Sequence, residues 1–362
     1  MNEIICGDAL DVLRTLPDKY CRCCVTSPPY YGLRDYGVAG QIGLEKNMFE
    51  YIERLVLVFR ELRRVLTDDG TLWINIADSY AGSGKGAALY PDNAKKHKQG
   101  SNRGGLGCAA ITKVKALLPS KNLMGIPWRL AFALQDDGWI LRQDIIWDKS
   151  NCMPESVRDR CTKSHEYIFL LAKQQRYYFN AEAIKEPIAD SAIDRLAQDI
   201  EKQSGSARAH DGGTKNMKAV AGSCASFGKP QLRRRLGKGN SKTFRGGMYT
   251  ENNTYQNSAN LSRNSHGNEE NKSGMRNKRS VWRLSTATGG TGRRNHFAMF
   301  PESLAVSCIL ASSREGDCVI DPFVGSGTSC RVANRYGRGY IGIDLNPEYC
   351  RDAEMNIPIN LF

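Results

Sequence analysis

The sequence predicts an α/β protein assembled from βαβ units, and three stretches carry that prediction. Residues 318–329 read as a buried strand, a turn containing Gly325 and Gly327, and a helix start. A second strand, residues 340–343, ends in Asp344, seventeen positions after Gly327. Far upstream, Cys23, Cys24, Val25 and Thr26 form a short β-favouring run that Pro28 and Pro29 terminate at once.

The chain opens with a short apolar strand before Gly7-Asp8, then an amphipathic turn or helix carrying Leu10, Val12, Leu13 and Leu16. The proline corner follows. Pro29 pushes Pro28 toward an extended conformation, and neither proline has an N–H to offer. Ser27, Pro28 and Tyr30 thus form a rigid edge with outward acceptors, a hydroxyl and an aromatic plate, which suits a planar ring bearing an amine.

Ile52, Leu55, Val56, Phe59, Leu62 and Val65 repeat at helical spacing, predicting a helix over 49–66 that Asp68-Asp69-Gly70 stops. Residues 71–76 read as a buried strand. Residues 80–122 are rich in Gly, Ser, Asn and Lys and read as a long flexible basic loop. Within it Gly82-Ser83-Gly84-Lys85-Gly86 fails the phosphate-loop spacing, because the lysine is followed by Gly rather than Ser or Thr. A helix over 127–135 and neighbouring strands over 139–147 and 165–172 come next.

From about residue 174 to 280 the texture turns polar, Gly/Asn/Ser-rich and basic. Residues 201–280 hold sixteen Lys/Arg against five Asp/Glu. The formal net charge is +13, so these basic stretches account for all of it and the remainder is slightly acidic. Excess positive charge gathered in this way favours a polyanionic partner. Arg233, Arg234, Arg235, Lys238, Lys242 and Arg245, interleaved with Phe244 and Tyr249, are the candidate nucleic-acid contacts. Order returns near residue 280, and a helix over 301–312 begins with Pro301.

No signal peptide opens the chain and no apolar segment reaches transmembrane length, so a cytoplasmic protein without a membrane partner is expected. The twelve cysteines sit in apolar contexts and read as reduced thiols. Cys21-Arg22-Cys23-Cys24 has no second pair at zinc spacing, and no metal is expected.

In the glycine turn, the third glycine of a dinucleotide fingerprint is missing. Asp321, at the strand end, would repel a phosphate and suits a cationic ligand such as the amine and sulfonium of S-adenosylmethionine. Asp321-Pro322-Phe323-x-Gly325-Ser326-Gly327-Thr328, taken with Thr26-Ser27-Pro28-Pro29-Tyr30, resembles the β group of DNA amino-methyltransferases. That group modifies cytosine N4 or adenine N6 and places the catalytic motif before the cofactor motif, a circular permutation of the usual methyltransferase order.

The resemblance implies a Rossmann-like methyltransferase fold with a mixed, mostly parallel seven-stranded sheet and an inserted basic target-recognition region. It divides the chain into a catalytic part (1–173), a target-recognition part (174–280) and a cofactor part (281–362). Asp321, Phe323, Gly325, Ser326, Gly327 and Thr328 would form the methionine side of the cofactor pocket, and Asp344 would hold the ribose. Asp8 would lie against the adenine, and Phe297, Ala298 and Pro301 would close over the cofactor. Ser27, Pro28, Pro29 and Tyr30 would receive the target base.

Double-stranded DNA is the implied substrate, flipping of the target base the implied step, and nucleoid association the implied location. A homodimer and a cognate restriction endonuclease are partners that the resemblance allows. Ser27 favours cytosine N4, with adenine N6 the alternative.

Other chemistries fit less well. RNA or protein-glutamine methyltransferases usually carry their motifs in the reverse order and lack a basic insertion of this size. A DNA-binding protein with a dead methyltransferase fold is opposed by the intact Ser27, Tyr30, Asp321 and Asp344. Attack at ring carbon C5 calls for a thiolate after a proline, and the chain has no Pro-Cys pair. Deamination calls for His-x-Glu and Pro-Cys-x-x-Cys, whereas here His165 and Glu166 are adjacent.

Overall fold

A computed structural model describes residues 2–32, 37–81, 118–152, 154–188, 275–286 and 300–358. The chain packs as two units, one of residues 1–183 with 279–362 and one of residues 184–278.

The larger unit begins with β1 (Asn2–Cys6), α1 (Ala9–Thr15), β2 (Cys21–Thr26), α2 (Met48–Val65) and β3 (Leu66–Ile76). It continues through α3 (Ile126–Asp136), β4 (Ile140–Lys149) and β5 (His165–Ala172). In the second unit β6 (Glu186–Pro187) pairs antiparallel with β7 (Met275–Arg276), braced by an Arg276–Glu186 ion pair at 2.9 Å. The larger unit resumes with β8 (Val281–Leu284), α4 (Glu302–Ser312), β9 (Cys318–Asp321), α5 (Thr328–Arg335), β10 (Gly339–Asp344) and α6 (Pro347–Asn356).

The main sheet runs β1-β10-β9-β2-β3-β5-β4-β8. Only the two pairings made by β5 are antiparallel. Among the described residues the main sheet therefore has eight strands where seven were expected. The added member is β8, which pairs with β4 from Ile146 to Lys149 and docks Trp282 beside Trp73, ring centroids 6.3 Å apart. Four residues are too short to announce a strand by periodicity.

The central strands are covered on both sides, which is why they read as continuous apolar runs. Along β3, Leu72, Ile74 and Ile76 join α1, α2 and α3 in one core. Trp73 points the other way, and its indole N–H donates to Ser312 Oγ of α4 at 3.2 Å. Each helix start has a local cause. Asp8 and Asn47 accept the orphan N–H groups that open α1 and α2, and Gly125 takes φ +71° ahead of Pro127 to open α3.

The structure departs from the expected helix stop at Asp68-Asp69-Gly70. Helix α2 ends at Val65, and those three residues belong to β3. The pairing jumps from Cys21↔Leu66 to Cys23↔Thr71, so the polar triplet sits in a bulge rather than a loop. A side chain at Gly70 would stand 2.9 Å from the carbonyl oxygens of Arg22 and Thr67, so this bulge admits only glycine without a shift.

Circular order in the sheet is what positions the site. The last two strands, β9 and β10, lie between the first two, β1 and β2. The carboxyl end of β2 therefore abuts the carboxyl end of β9. Strand order reverses at that point, where open parallel sheets bind ligands.

Candidate active site

The corner after β2 and the turn after β9 face one cleft. Ser27, Pro28, Pro29 and Tyr30 line it from one side, and Phe323, Val324, Gly325, Ser326 and Thr328 from the other. Asp8, Ala9, Phe300, Asp344 and Tyr349 also line it, along with Gln41 and Ile42 from the segment that follows the corner. The space is about 1040 Å³, part of it open to solvent.

Asp344 ends β10 and enters the cleft wall with both carboxylate oxygens held. Asn346 N–H donates to Oδ1 at 2.9 Å and Gly325 N–H to Oδ2 at 3.0 Å. Each oxygen keeps a second lone pair for a ligand hydroxyl. Burial raises this carboxyl above its ordinary value, and the backbone N–H groups of Asn346, Gly325 and Leu345 offset only part of the rise. The turn itself needs glycine. Gly325 and Gly327 have φ +50° and +81°, and a Cβ at Gly327 would meet Ala353 at 3.1 Å.

Three of the expected cofactor residues stand outside the wall. Asp321 lies beneath it, 1% exposed, and accepts from Thr26 Oγ1 at 2.6 Å, Phe323 N–H at 3.1 Å and the Ser329 hydroxyl. It was expected to face a cationic ligand. Instead its carboxylate is met by protein donors, and burial raises it to about 6. Gly327 serves as the left-handed entry to α5, and Pro301 as the entry to α4, leaving its neighbour Phe300 in the wall. Asp8 stays at the cleft while its Oδ1 caps α1 through the N–H groups of Leu10 and Asp11. Phe297, Ala298 and the cluster Arg233, Arg234, Arg235, Lys238, Lys242 and Arg245 lie outside the described residues.

The corner is tied down from behind. The Tyr51 hydroxyl donates to the Pro29 carbonyl at 2.8 Å. The Tyr30 hydroxyl donates to Glu166 Oε2 at 2.7 Å, and Asn75 Nδ2 donates to the same oxygen at 3.1 Å. Lys149 forms an ion pair with Glu166. Burial, and then the Glu166 charge, hold the Tyr30 phenol well above its ordinary value, so it stays protonated. Sequence reading missed Asn75, Lys149 and Glu166. The one available signal was a polar residue interrupting or ending each of three apolar strands at the same edge. Ala81 N–H donates to the Asn122 carbonyl and Lys121 N–H to the Ala81 carbonyl, both at 2.8 Å.

The cleft fits a nucleoside-bearing donor. A half-buried acidic acceptor, a glycine turn that lets backbone approach, and apolar walls from Phe323, Phe300 and Ala9 suit that half. A rigid hydroxyl-and-aromatic edge faces it. Together they define a Rossmann-like group-transfer enzyme of the methyltransferase class. The N6/N4 DNA methylase family profile matches residues 21–355, and the chain belongs to that family.

Its relatives agree along nearly the whole length. The type II methyltransferase M.Cfr9I of Citrobacter freundii is 40% identical over 343 residues, covering 95% of this chain and 83% of its own. M.SmaI of Serratia marcescens is 38% identical over 355 residues, covering 98% and 90%. Among solved structures, the PvuII DNA methyltransferase (cytosine-N4-specific) shares the fold with a TM-score of 0.56 at 14% identity, over 100% of this chain and 88% of that one. The protein is an S-adenosylmethionine-dependent DNA methyltransferase of the N4/N6 amino type. No helix among the described residues is long and apolar enough to cross a membrane.

Proposed function

We propose that the protein methylates the exocyclic amine of a flipped base at a specific duplex site, and that the base is cytosine at N4. The observation that carries the reading is one cleft lined by both Ser27-Pro28-Pro29-Tyr30 and the Gly325–Asp344 wall. The amine of a paired base is inaccessible inside the duplex, so the base must leave the stack at a cost of a few kcal/mol. The Tyr30 ring offers it a new stacking face, worth about 1–3 kcal/mol.

An exocyclic amine is a weak nucleophile because its lone pair is delocalised into the ring. Ser27 Oγ and the Pro28 carbonyl accept its N–H groups, which favours a pyramidal nitrogen and stabilises the positive charge that develops there. The corner also fixes the direction of approach. Orientation of this kind can supply on the order of 7–11 kcal/mol of a barrier.

Bound S-adenosylmethionine supplies a methyl group on a sulfonium, open to direct displacement. Asp344 would hold its ribose hydroxyls, and Phe323, Gly325, Ser326 and Thr328 its methionine end, with Asp8 near the adenine. Arg233, Arg234, Arg235, Lys238, Lys242 and Arg245 would contact the DNA backbone. The type II names of the relatives support a modification role beside a cognate endonuclease; a homodimer acting in the cytoplasm on nucleoid DNA completes the reading.

Mass spectrometry of nucleosides from the DNA of expressing cells tests this. N4-methylcytosine is the expected product. N6-methyladenine in its place would reassign the base, and neither product would overturn the reading.

A further inference from the structure

Beneath the proline corner lies a closed set of polar groups drawn from three strands. Asn75 comes from β3, Lys149 from the end of β4 and Glu166 from the start of β5. Glu166 is 8% exposed. It receives the Lys149 ammonium on Oε1, and the Tyr30 hydroxyl and Asn75 amide on Oε2. Lys149 itself lies over the Trp147 ring, 4.8 Å from its centroid. Asn75 also donates to the Tyr167 carbonyl at 3.2 Å, which fixes its amide orientation. A buried carboxylate is tolerated when donors and a counter-charge surround it in this way.

Such a carboxylate can only accept. The Tyr30 hydroxyl has one proton, and the 2.7 Å contact with charged Glu166 outcompetes its 3.5 Å contact with Asn75 Oδ1. The Tyr30 oxygen is then left with lone pairs alone to offer Ser27, whose Oγ stands 3.5 Å away and donates toward it. A Ser27 proton turned inward in this way leaves its lone pairs for the cleft.

We propose that Glu166, seated on Lys149 and Asn75, is a positioning residue that sets hydrogen-bond direction through Tyr30 to Ser27. Ser27 thereby meets the target amine as an acceptor. No proton is transferred along the chain; its polarity is fixed before the base arrives. A neutral amide in place of Glu166 could donate to the Tyr30 oxygen and release that constraint. The inference rests on the reading of Ser27 as the amine's partner.

The test is a double-mutant cycle on methyl transfer to duplex DNA, with the full chain, labelled cofactor and calorimetric cofactor binding. Glu166→Gln is expected to lower kcat about tenfold or more while cofactor affinity and KM for DNA stay within about twofold. Tyr30→Phe should lower kcat comparably. The double variant should then be no slower than Tyr30→Phe alone, because both changes break one chain. Losses that multiply, or a Glu166→Gln enzyme at wild-type kcat, overturn the proposal.

Should Glu166→Gln fold poorly, Asn75→Ala takes its place in the cycle, with the same non-additivity expected and multiplying losses overturning it. Ser27→Ala separates this inference from the one beneath it. Full activity in Ser27→Ala sinks both, whereas a dead Ser27→Ala beside an unaffected Glu166→Gln sinks only this one.

Discussion

Thr26 Oγ1 donates to Asp321 Oδ1 at 2.6 Å, a bond between side chains 295 positions apart that locks the end of β2 to the end of β9. Ser27 follows directly on one strand and Pro322-Phe323 on the other. The proline corner and the glycine turn are therefore set against each other by this buried bond together with the β2–β9 pairing. Removing the donor leaves a buried carboxylate short of a partner. Thr26→Val should destabilise the fold by about 1–3 kcal/mol in urea unfolding. It should also lower kcat more than it weakens cofactor binding. Unchanged stability would show that the bond does not join the two halves.

Burial raises the Asp321 carboxyl to about 6 from an ordinary 3.8. An acid whose folded value lies above its unfolded one binds protons better when folded. Its contribution is fully present below about pH 4 and is lost as pH rises through 6. The window is worth roughly 3 kcal/mol. Asp321→Asn should remove this component, so the difference in unfolding free energy between pH 4 and pH 7 should shift by that amount relative to the parent. Parallel pH profiles of the two proteins would contradict it.

Asp344→Asn exchanges one acceptor oxygen for an N–H₂ that must face either Gly325 N–H or Asn346 N–H. Donor against donor disrupts the turn and removes a ligand acceptor together. Cofactor affinity measured by calorimetry should fall by about ten- to a hundredfold, equivalent to roughly 1.4–2.8 kcal/mol. Affinity within twofold of the parent would remove Asp344 from the cofactor site.

Tyr30→Ala takes away both the stacking face and the contact to Glu166. Single-turnover methylation should collapse by at least about a hundredfold while cofactor binding stays near normal. Loss of cofactor binding with DNA affinity intact would reverse the division of roles between the two sides of the cleft.

At Gly327 a methyl group would meet Ala353 Cα and Cβ at 3.1 Å, and the backbone would keep φ +81°. Gly327→Ala should cost about 1–3 kcal/mol of stability in urea unfolding. Gly316→Ala provides the control, with φ +84° but nothing within 4 Å of the added carbon. It should cost only the strain of the left-handed backbone.

Much of this molecule was written locally in the chain. The apolar run before Pro28, the glycines before Thr328 and the acid at the end of residues 340–344 each follow from short-range physics: β propensity, missing N–H groups and permitted φ. Periodicity likewise marked α2 and α3 to within a residue or two of their ends.

What the chain left open is where those pieces meet. β9 and β10 enter the sheet between β1 and β2, and only that order brings Asp321 against Thr26. The same packing buried Asp321 behind the cleft wall on three protein donors, because burial and donors are properties of the assembled sheet rather than of its motif. It gathered Asn75, Lys149 and Glu166 from three strands under Tyr30, where no spacing along the sequence could announce them. Hydrogen-bond partners across a sheet are chosen by register, and register is fixed by long-range packing of apolar faces, so the motifs were legible in the sequence and their joint geometry was decided by the tertiary structure.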